Sequence, residues 1–152
     1  MIVQMKPRGI RNNNPLNIRR SKSRWKGLCE HQTDKSFCQF TEMKYGWRAA
    51  FYLLCSTYYR TYGCNTIRTI ISRWAPDNEN NTEAYIKRVC ELTGMKHTEP
   101  IGHPEKYADN WLKLGWAMAI VENGKTAMQD MDGLDEYKGF KLAMATCYPE
   151  GR

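Results

Sequence analysis

A mainly α-helical (α+β) domain with a small β-hairpin near its N-terminus is what this sequence predicts, on three observations. From about residue 41 onward apolar residues recur at three- and four-residue spacing. Gly and Pro stops divide that pattern into helix-length pieces. The first forty residues lack the period and hold turn residues between short aromatic runs. At 152 residues the chain is long enough for one domain, spanning 1–152, with one hydrophobic core.

The hairpin is expected where Trp25-Lys26-Gly27-Leu28 and Ser36-Phe37-Cys38-Gln39-Phe40 flank a polar turn at Gln32-Thr33-Asp34-Lys35. Thr41 then reads as an N-cap. Behind it Met43, Trp47, Ala50, Phe51, Leu54 and Tyr58 keep helical spacing to Tyr62, with Gly63 as the stop. Asn65 is expected to cap a second helix carrying Ile67, Ile70, Ile71 and Trp74, which stops at Ala75-Pro76. Asn81 or Asn80 caps a third, with Tyr85, Ile86, Val89 and Leu92, ending at Gly94. After a loop over 95–103, Pro104 suits the first turn of a fourth helix. Trp111, Leu114, Met118 and Val121 mark its buried face, and it ends near Glu122-Asn123-Gly124. A last helix runs from about Leu134 to Thr146.

The formal net charge is +7 and unevenly spread. No acidic residue precedes Glu30, whereas Lys6, Arg8, Arg11, Arg19, Arg20, Lys22, Arg24 and Lys26 all do. Such a region attracts polyanions, among them nucleic acid or a bacterial cell wall with its teichoic acids or peptide carboxylates, and it equally serves plain solubility. No helix-turn-helix, zinc or RNA-binding motif accompanies the charge, which argues against nucleic acid. No apolar run is long enough to span a bilayer. Met1 to Lys6 lacks the apolar stretch of a signal peptide, so synthesis in the cytoplasm is expected. The six cysteines form no CxxC pair, and His31, His97 and His103 form no ligand cluster. No metal and no cofactor is therefore expected. Reduced thiols are the expectation for such a chain, with a Cys29–Cys38 bridge across the hairpin as the alternative.

The densest cluster of ligand-type side chains is Asn12-Asn13-Asn14-Pro15-Leu16-Asn17-Ile18. Each amide both donates and accepts, which suits a sugar rich in hydroxyl and N-acetyl groups. The same residues also make a polar turn, because Asn tolerates the left-handed region.

The run Arg8-Gly9-Ile10-Arg11-Asn12-Asn13-Asn14-Pro15-Leu16-Asn17-Ile18-Arg19 is followed by Trp25-x-Gly27 and Asp34-x-x-Phe37-x-x-Phe40. Further on come Gly46-Trp47-Arg48-Ala49, Arg73-Trp74-Ala75-Pro76, Glu79-Asn80-x-Thr82 and Tyr85. This ordered set, over roughly residues 8 to 124, resembles a family of small phage and prophage proteins often labelled virion structural proteins. Asn13-Asn14-Pro15-Leu16-Asn17-Ile18-Arg19 also resembles, more distantly, the Asn-Asn-x-x-Gly-Ile-Lys loop of lysozyme-like glucosaminidases and lytic transglycosylases, with Asn17 in place of Gly. In those enzymes the catalytic Glu closes a helix before the loop. Only seven residues precede Arg8 here, and none is acidic. Ala117-Met118-Ala119-Ile120-Val121-Glu122-Asn123-Gly124 resembles that missing helix end, late in the chain. The resemblance thus implies a circularly permuted lysozyme-like domain, a rearrangement that close termini permit.

On that reading Glu122 is the general acid of a peptidoglycan-cleaving glycosidase, a muramidase or a lytic transglycosylase. A glutamic acid is mostly ionised at neutral pH, so it needs burial or the negative end of a helix to keep its proton. Asp34 and Glu30 are the candidates for a second carboxylate, with Asp34 equally suited to shaping the turn. Asn13, Asn14 and Asn17 bind the sugar or the loop's own backbone. Trp74 and Tyr85 line the groove or pack in the core. Glu79 and Asn80 read as helix-capping residues, and Arg48 as a cation paired with a carboxylate inside the fold. The expected partner is bacterial peptidoglycan, reached after release or as part of a virion, and the oligomeric state is left open. The alternative is a non-catalytic virion structural or cell-wall-binding protein on the same fold.

Overall fold

The computed structural model describes residues 5–78 and 80–149, and the reading of Glu79 falls outside them. The chain is mainly helical. Helix α1 is a single turn, Arg8–Arg11. Helix α2, Met43–Tyr52, runs on as a wider π-helical segment over Leu53–Thr61. Then come α3 (Ile67–Trp74), α4 (Thr82–Thr93), α5 (Ala108–Asn123), α6 (Lys125–Gln129) and α7 (Gly133–Cys147).

Helix α5 runs through the core: Trp111, Leu114 and Met118 are fully buried. In the same core lie Trp47 and Phe51 of α2, Ile67, Ile70 and Ile71 of α3, and Phe140 of α7. Trp47 stacks between Phe51 and Trp116, at 5.7 and 5.9 Å between centroids. Phe140 meets Phe51 edge to face at 5.1 Å, which docks α7 on α2. Such aromatic contacts add about 1 kcal/mol each beyond the area they bury.

Several local expectations change. Thr41 does not cap α2: its N–H donates to Gly27 O, and the cap position falls to Glu42 without a side-chain bond. Thr66 rather than Asn65 caps α3, through a reciprocal box with Thr69. Asn65 instead accepts from the Gly102 N–H and holds the 95–103 loop against α3. Pro104 sits in a turn ahead of α5, which begins at Ala108. Asn81, not Asn80, caps α4 by accepting from the Ala84 N–H. Arg48 donates to the Thr146 hydroxyl rather than to a carboxylate. The cysteines are free thiols. No helix among the described residues is long and apolar enough to cross a membrane.

Between α1 and α2 the chain makes two isolated antiparallel bridges, Arg19 with Phe37 and Leu28 with Phe40. Side chains take the place of a longer ladder. Gln39 Oε1 accepts from the N–H groups of Thr33 and Asp34. Gln32 spans the turn, accepting from the Gln39 N–H and donating to the carbonyls of Cys29 and Gln39. These amides offer the backbone an alternative to strand pairing.

Candidate active site

The turn after α1 is built from its own asparagines. Asn14 is fully buried. Its Nδ2 donates to the carbonyls of Ile18 and Cys38, and its Oδ1 accepts from the Ile18 N–H. Asn13 donates to the Phe40 carbonyl. The Asn14 amide is thus spent on backbone, and the Asn13 Nδ2 ties the loop to Phe40, so both build the loop. Asn13 and Asn17 adopt left-handed backbone, at φ 52° and 51°, which asparagine tolerates better than most residues.

The loop abuts the end of α5. Asn123 donates to the Pro15 carbonyl at 2.7 Å and to the Ala119 carbonyl at 3.0 Å. Gly9 makes this approach possible, because a Cβ there would overlap Asn123 Oδ1 and come within 2.8 Å of Asn14 O and 2.9 Å of Asn17 Oδ1. Asn17 then turns its Nδ2 to Glu122 Oε1 at 3.0 Å. From α4 the Tyr85 hydroxyl donates to Glu122 Oε2, also at 3.0 Å. Three parts of the chain, the asparagine turn, α4 and the last turn of α5, therefore converge on one carboxyl group.

Glu122 is half-buried. Burial raises its pKa above that of an ordinary glutamic acid, against the pull of the Asn17 and Tyr85 hydrogen bonds and the Arg19 charge. Tyr85 is itself buried, and burial followed by the neighbouring carboxylate pushes its hydroxyl well up, so it stays a donor. Tyr85 accordingly holds the acid.

Asn17 also lines a groove of about 300 Å³, together with Ile18, Arg19, Ser21, Ser23 and Trp25, with Leu53 and Tyr58 of the π-helical segment, and with Trp74 of α3. Trp74 meets Tyr58 edge to face at 5.9 Å, leaving it half-buried at the groove. Aromatic faces beside hydroxyls suit a ring that is polar at its rim and apolar on its faces. Tyr58, Ser21 and Ser23 did not stand out as site residues from the sequence. The available signal was partial alternation, since Arg19, Ser21, Ser23 and Trp25 line the groove while Arg20, Lys22 and Arg24 between them do not.

The other two carboxylates lie in a different setting. Arg8 grips Asp34 with two bonds of 2.6 Å, Asn12 donates to it at 2.9 Å, and the N–H groups of Ser36 and Phe37 donate as well. The Arg8 guanidinium, then the Phe37 N–H, hold its carboxyl far below the usual carboxylate range. Asp34 is a clasp between α1 and the turn. Glu30 is exposed on the same segment. Neither is a hydrogen-bond partner of Glu122, whose bonds come from Asn17 and Tyr85.

No family model matches the sequence. The chain is similar to Protein P5 of Pseudoalteromonas phage PM2, at 41 % identity over 120 residues, which covers 77 % of this chain and 71 % of that protein. An identity of that level over most of both chains means that this protein belongs to the phage Protein P5 family.

Proposed function

We propose that this protein cleaves the glycan strand of peptidoglycan, with Glu122 as general acid, on a lysozyme-like domain whose parts are circularly permuted. The observation that carries the reading is the convergence of Asn17 and Tyr85 on a half-buried glutamic acid whose pKa is raised. The groove that Asn17 helps to line, with aromatics, hydroxyls and Arg19 beside it, supports the reading as a place for a sugar chain to lie.

In the proposed reaction the Glu122 carboxyl gives its proton to the glycosidic oxygen as the C1–O bond breaks. The leaving sugar departs as an alcohol, and C1 carries oxocarbenium character. Asn17 and Tyr85 stabilise the carboxylate left behind, with Arg19 adding positive charge beside it. Glu122 then takes back a proton from the nucleophile that attacks C1. That nucleophile is the sugar's own 6-hydroxyl in a lytic transglycosylase and water in a muramidase. The commitment of both Asp34 oxygens to Arg8, Asn12 and backbone N–H groups supports the transglycosylase, which needs one carboxyl group only. The phage relative fits delivery to the wall as a virion component or after release.

Glu122→Gln keeps the shape of the side chain and one of its two acceptor positions but has no acidic proton to give. It is expected to abolish release of soluble fragments from purified walls while the circular dichroism spectrum stays native. Mass analysis of the products is expected to find 1,6-anhydro ends. Full clearing by the Gln variant removes Glu122 from the mechanism. A native protein that binds walls without releasing fragments is a wall-binding module instead.

A further inference from the structure

On one side of α5, Leu112, Trp116 and Ile120 stand four residues apart, and Asp109, Lys113 and Ala117 form the neighbouring row. Both rows line a cleft of about 390 Å³, which Leu92 of α4 and Glu136 of α7 complete. That volume falls in the range of small-molecule sites, roughly 300–1,000 Å³. The cleft shares no lining residue with the groove beside Asn17. Its apolar lining is fixed by the core: Trp116 stacks on Trp47 at 5.9 Å, and Ala117 is buried.

Glu136 is the odd member of this lining. It is buried, yet neither carboxyl oxygen has a hydrogen-bond or ion-pair partner among the described residues. Oε2 is shut in beside Gly115 and the ring of Phe51. Oε1 is the oxygen left to face the cleft. Buried polar groups are nearly always hydrogen-bonded, so an unpartnered carboxyl group in the lining of a cleft marks a place for a donor from outside the chain.

The other lining residues decide what kind of donor. The charged groups are two acids, Asp109 and Glu136, against one base, Lys113, and none of the three has an ion-pair partner among the described residues. A ligand carboxylate would add a like charge beside both acids. A guanidinium fork engages both oxygens of its partner, and Oε2 is out of reach. An ammonium group needs one oxygen and brings three N–H donors. Leu92, Leu112, Trp116, Ala117 and Ile120 call for a hydrocarbon body behind it. We propose that the cleft between α4, α5 and α7 binds a small primary amine with an apolar body, whose ammonium group donates to Glu136 Oε1. Burial keeps a proton on Glu136 while the cleft is free. That proton passes to solvent as the ammonium docks, so a carboxylate–ammonium pair replaces a neutral carboxyl group. The site does not depend on the glycan-cleaving reading.

The test is an NMR titration of the isotope-labelled full-length protein with hexylamine, hexanol and hexanoate, three probes with the same chain and different heads. Hexylamine is expected to shift the signals of Leu92, Leu112, Trp116 and Ile120. It is expected to bind about tenfold tighter than either other probe, the worth of one charge-assisted hydrogen bond. Glu136→Gln cannot ionise and is expected to bind the amine no better than the alcohol. Unchanged circular dichroism establishes that this variant folds. Shortening the amine is expected to weaken binding about threefold for each methylene removed from the cleft. Glu122→Gln is expected to bind hexylamine as the native protein does, which separates this site from the proposed cleavage. Equal affinity of the native protein for amine and alcohol overturns the proposal. So does full retention of amine binding in Glu136→Gln, or a set of shifts that leaves the cleft untouched.

Discussion

A carboxyl group that must hold a proton near neutrality and then part with it needs two opposed influences, and Glu122 has both. Burial raises its pKa, while Asn17 and Tyr85 donate to the ionised form and lower it. The two donors come from elements that also shape the groove and core, so their geometry is fixed by packing. Asn17 sits at φ 51°, a conformation glycine adopts freely, so Asn17→Gly removes the donor with little strain. Tyr85→Phe removes the other. Each variant leaves burial less opposed, so the Glu122 pKa rises further. If Glu122 is the acid, the alkaline limb of the pH–rate profile moves to higher pH in both. The maximal rate falls, on the order of tenfold to a hundredfold, because the carboxyl group is no longer held. A pH–rate profile on soluble wall fragments checks this. A loss of rate with the limb unmoved would assign Asn17 and Tyr85 to folding alone.

At the scale of elements, legibility followed length and period. The long helices were visible because apolar residues recur along them: α4 ends at Gly94, whose φ is 73°, and α5 ends at Asn123, both where the sequence put them. The single-turn α1 and the five-residue α6 were invisible because neither is long enough to show a period. The π-helical stretch over Leu53–Thr61 was equally hidden, since its residues read as a continuation of α2. It matters because it brings Leu53 and Tyr58 to the groove, and π-helical turns recur at functional sites. The meeting of Asn17 with Glu122, 105 residues apart, came from matching two motif fragments, not from any local pattern. The asparagine roles were only half legible, because amides that build a loop and amides that bind a ligand look alike in sequence. Gly9 ties these elements together, and its substitution tests the junction. Gly9→Ala puts a methyl group into Asn123 Oδ1 and against Asn14 O and Asn17 Oδ1. Overpacking of this kind costs about 1–3 kcal/mol. Urea denaturation is expected to show that loss; if Glu122 is the acid, wall cleavage is expected to fall by more than the folded fraction does, because the methyl group displaces Asn17 from Glu122.

For the molecule as a whole, one contribution to the dependence of stability on pH comes from a carboxyl group remote from the proposed chemistry. Glu136, in the first turn of α7, is 7 % exposed. Its Oε2 has no hydrogen-bond partner. That atom lies 3.2 Å from where a Cβ on Gly115 of α5 would stand, beside the ring of Phe51, so the group is buried where α2, α5 and α7 meet. Burial pushes its pKa from 4.5 up to about 9. Between those two values the folded protein keeps a proton that the unfolded chain has released. Stability therefore falls as pH rises from about 4.5 to about 9 and is unaffected by this group below that window. Glu136→Gln cannot ionise. It is expected to match the native protein near pH 4.5 and to exceed it by about 1–3 kcal/mol near neutrality, the gap widening toward pH 9. Thermal melts of both proteins across that range measure it. A constant difference at all pH values would mean that Glu136 is already ionised in the folded protein, held by a partner within the α2–α5–α7 junction.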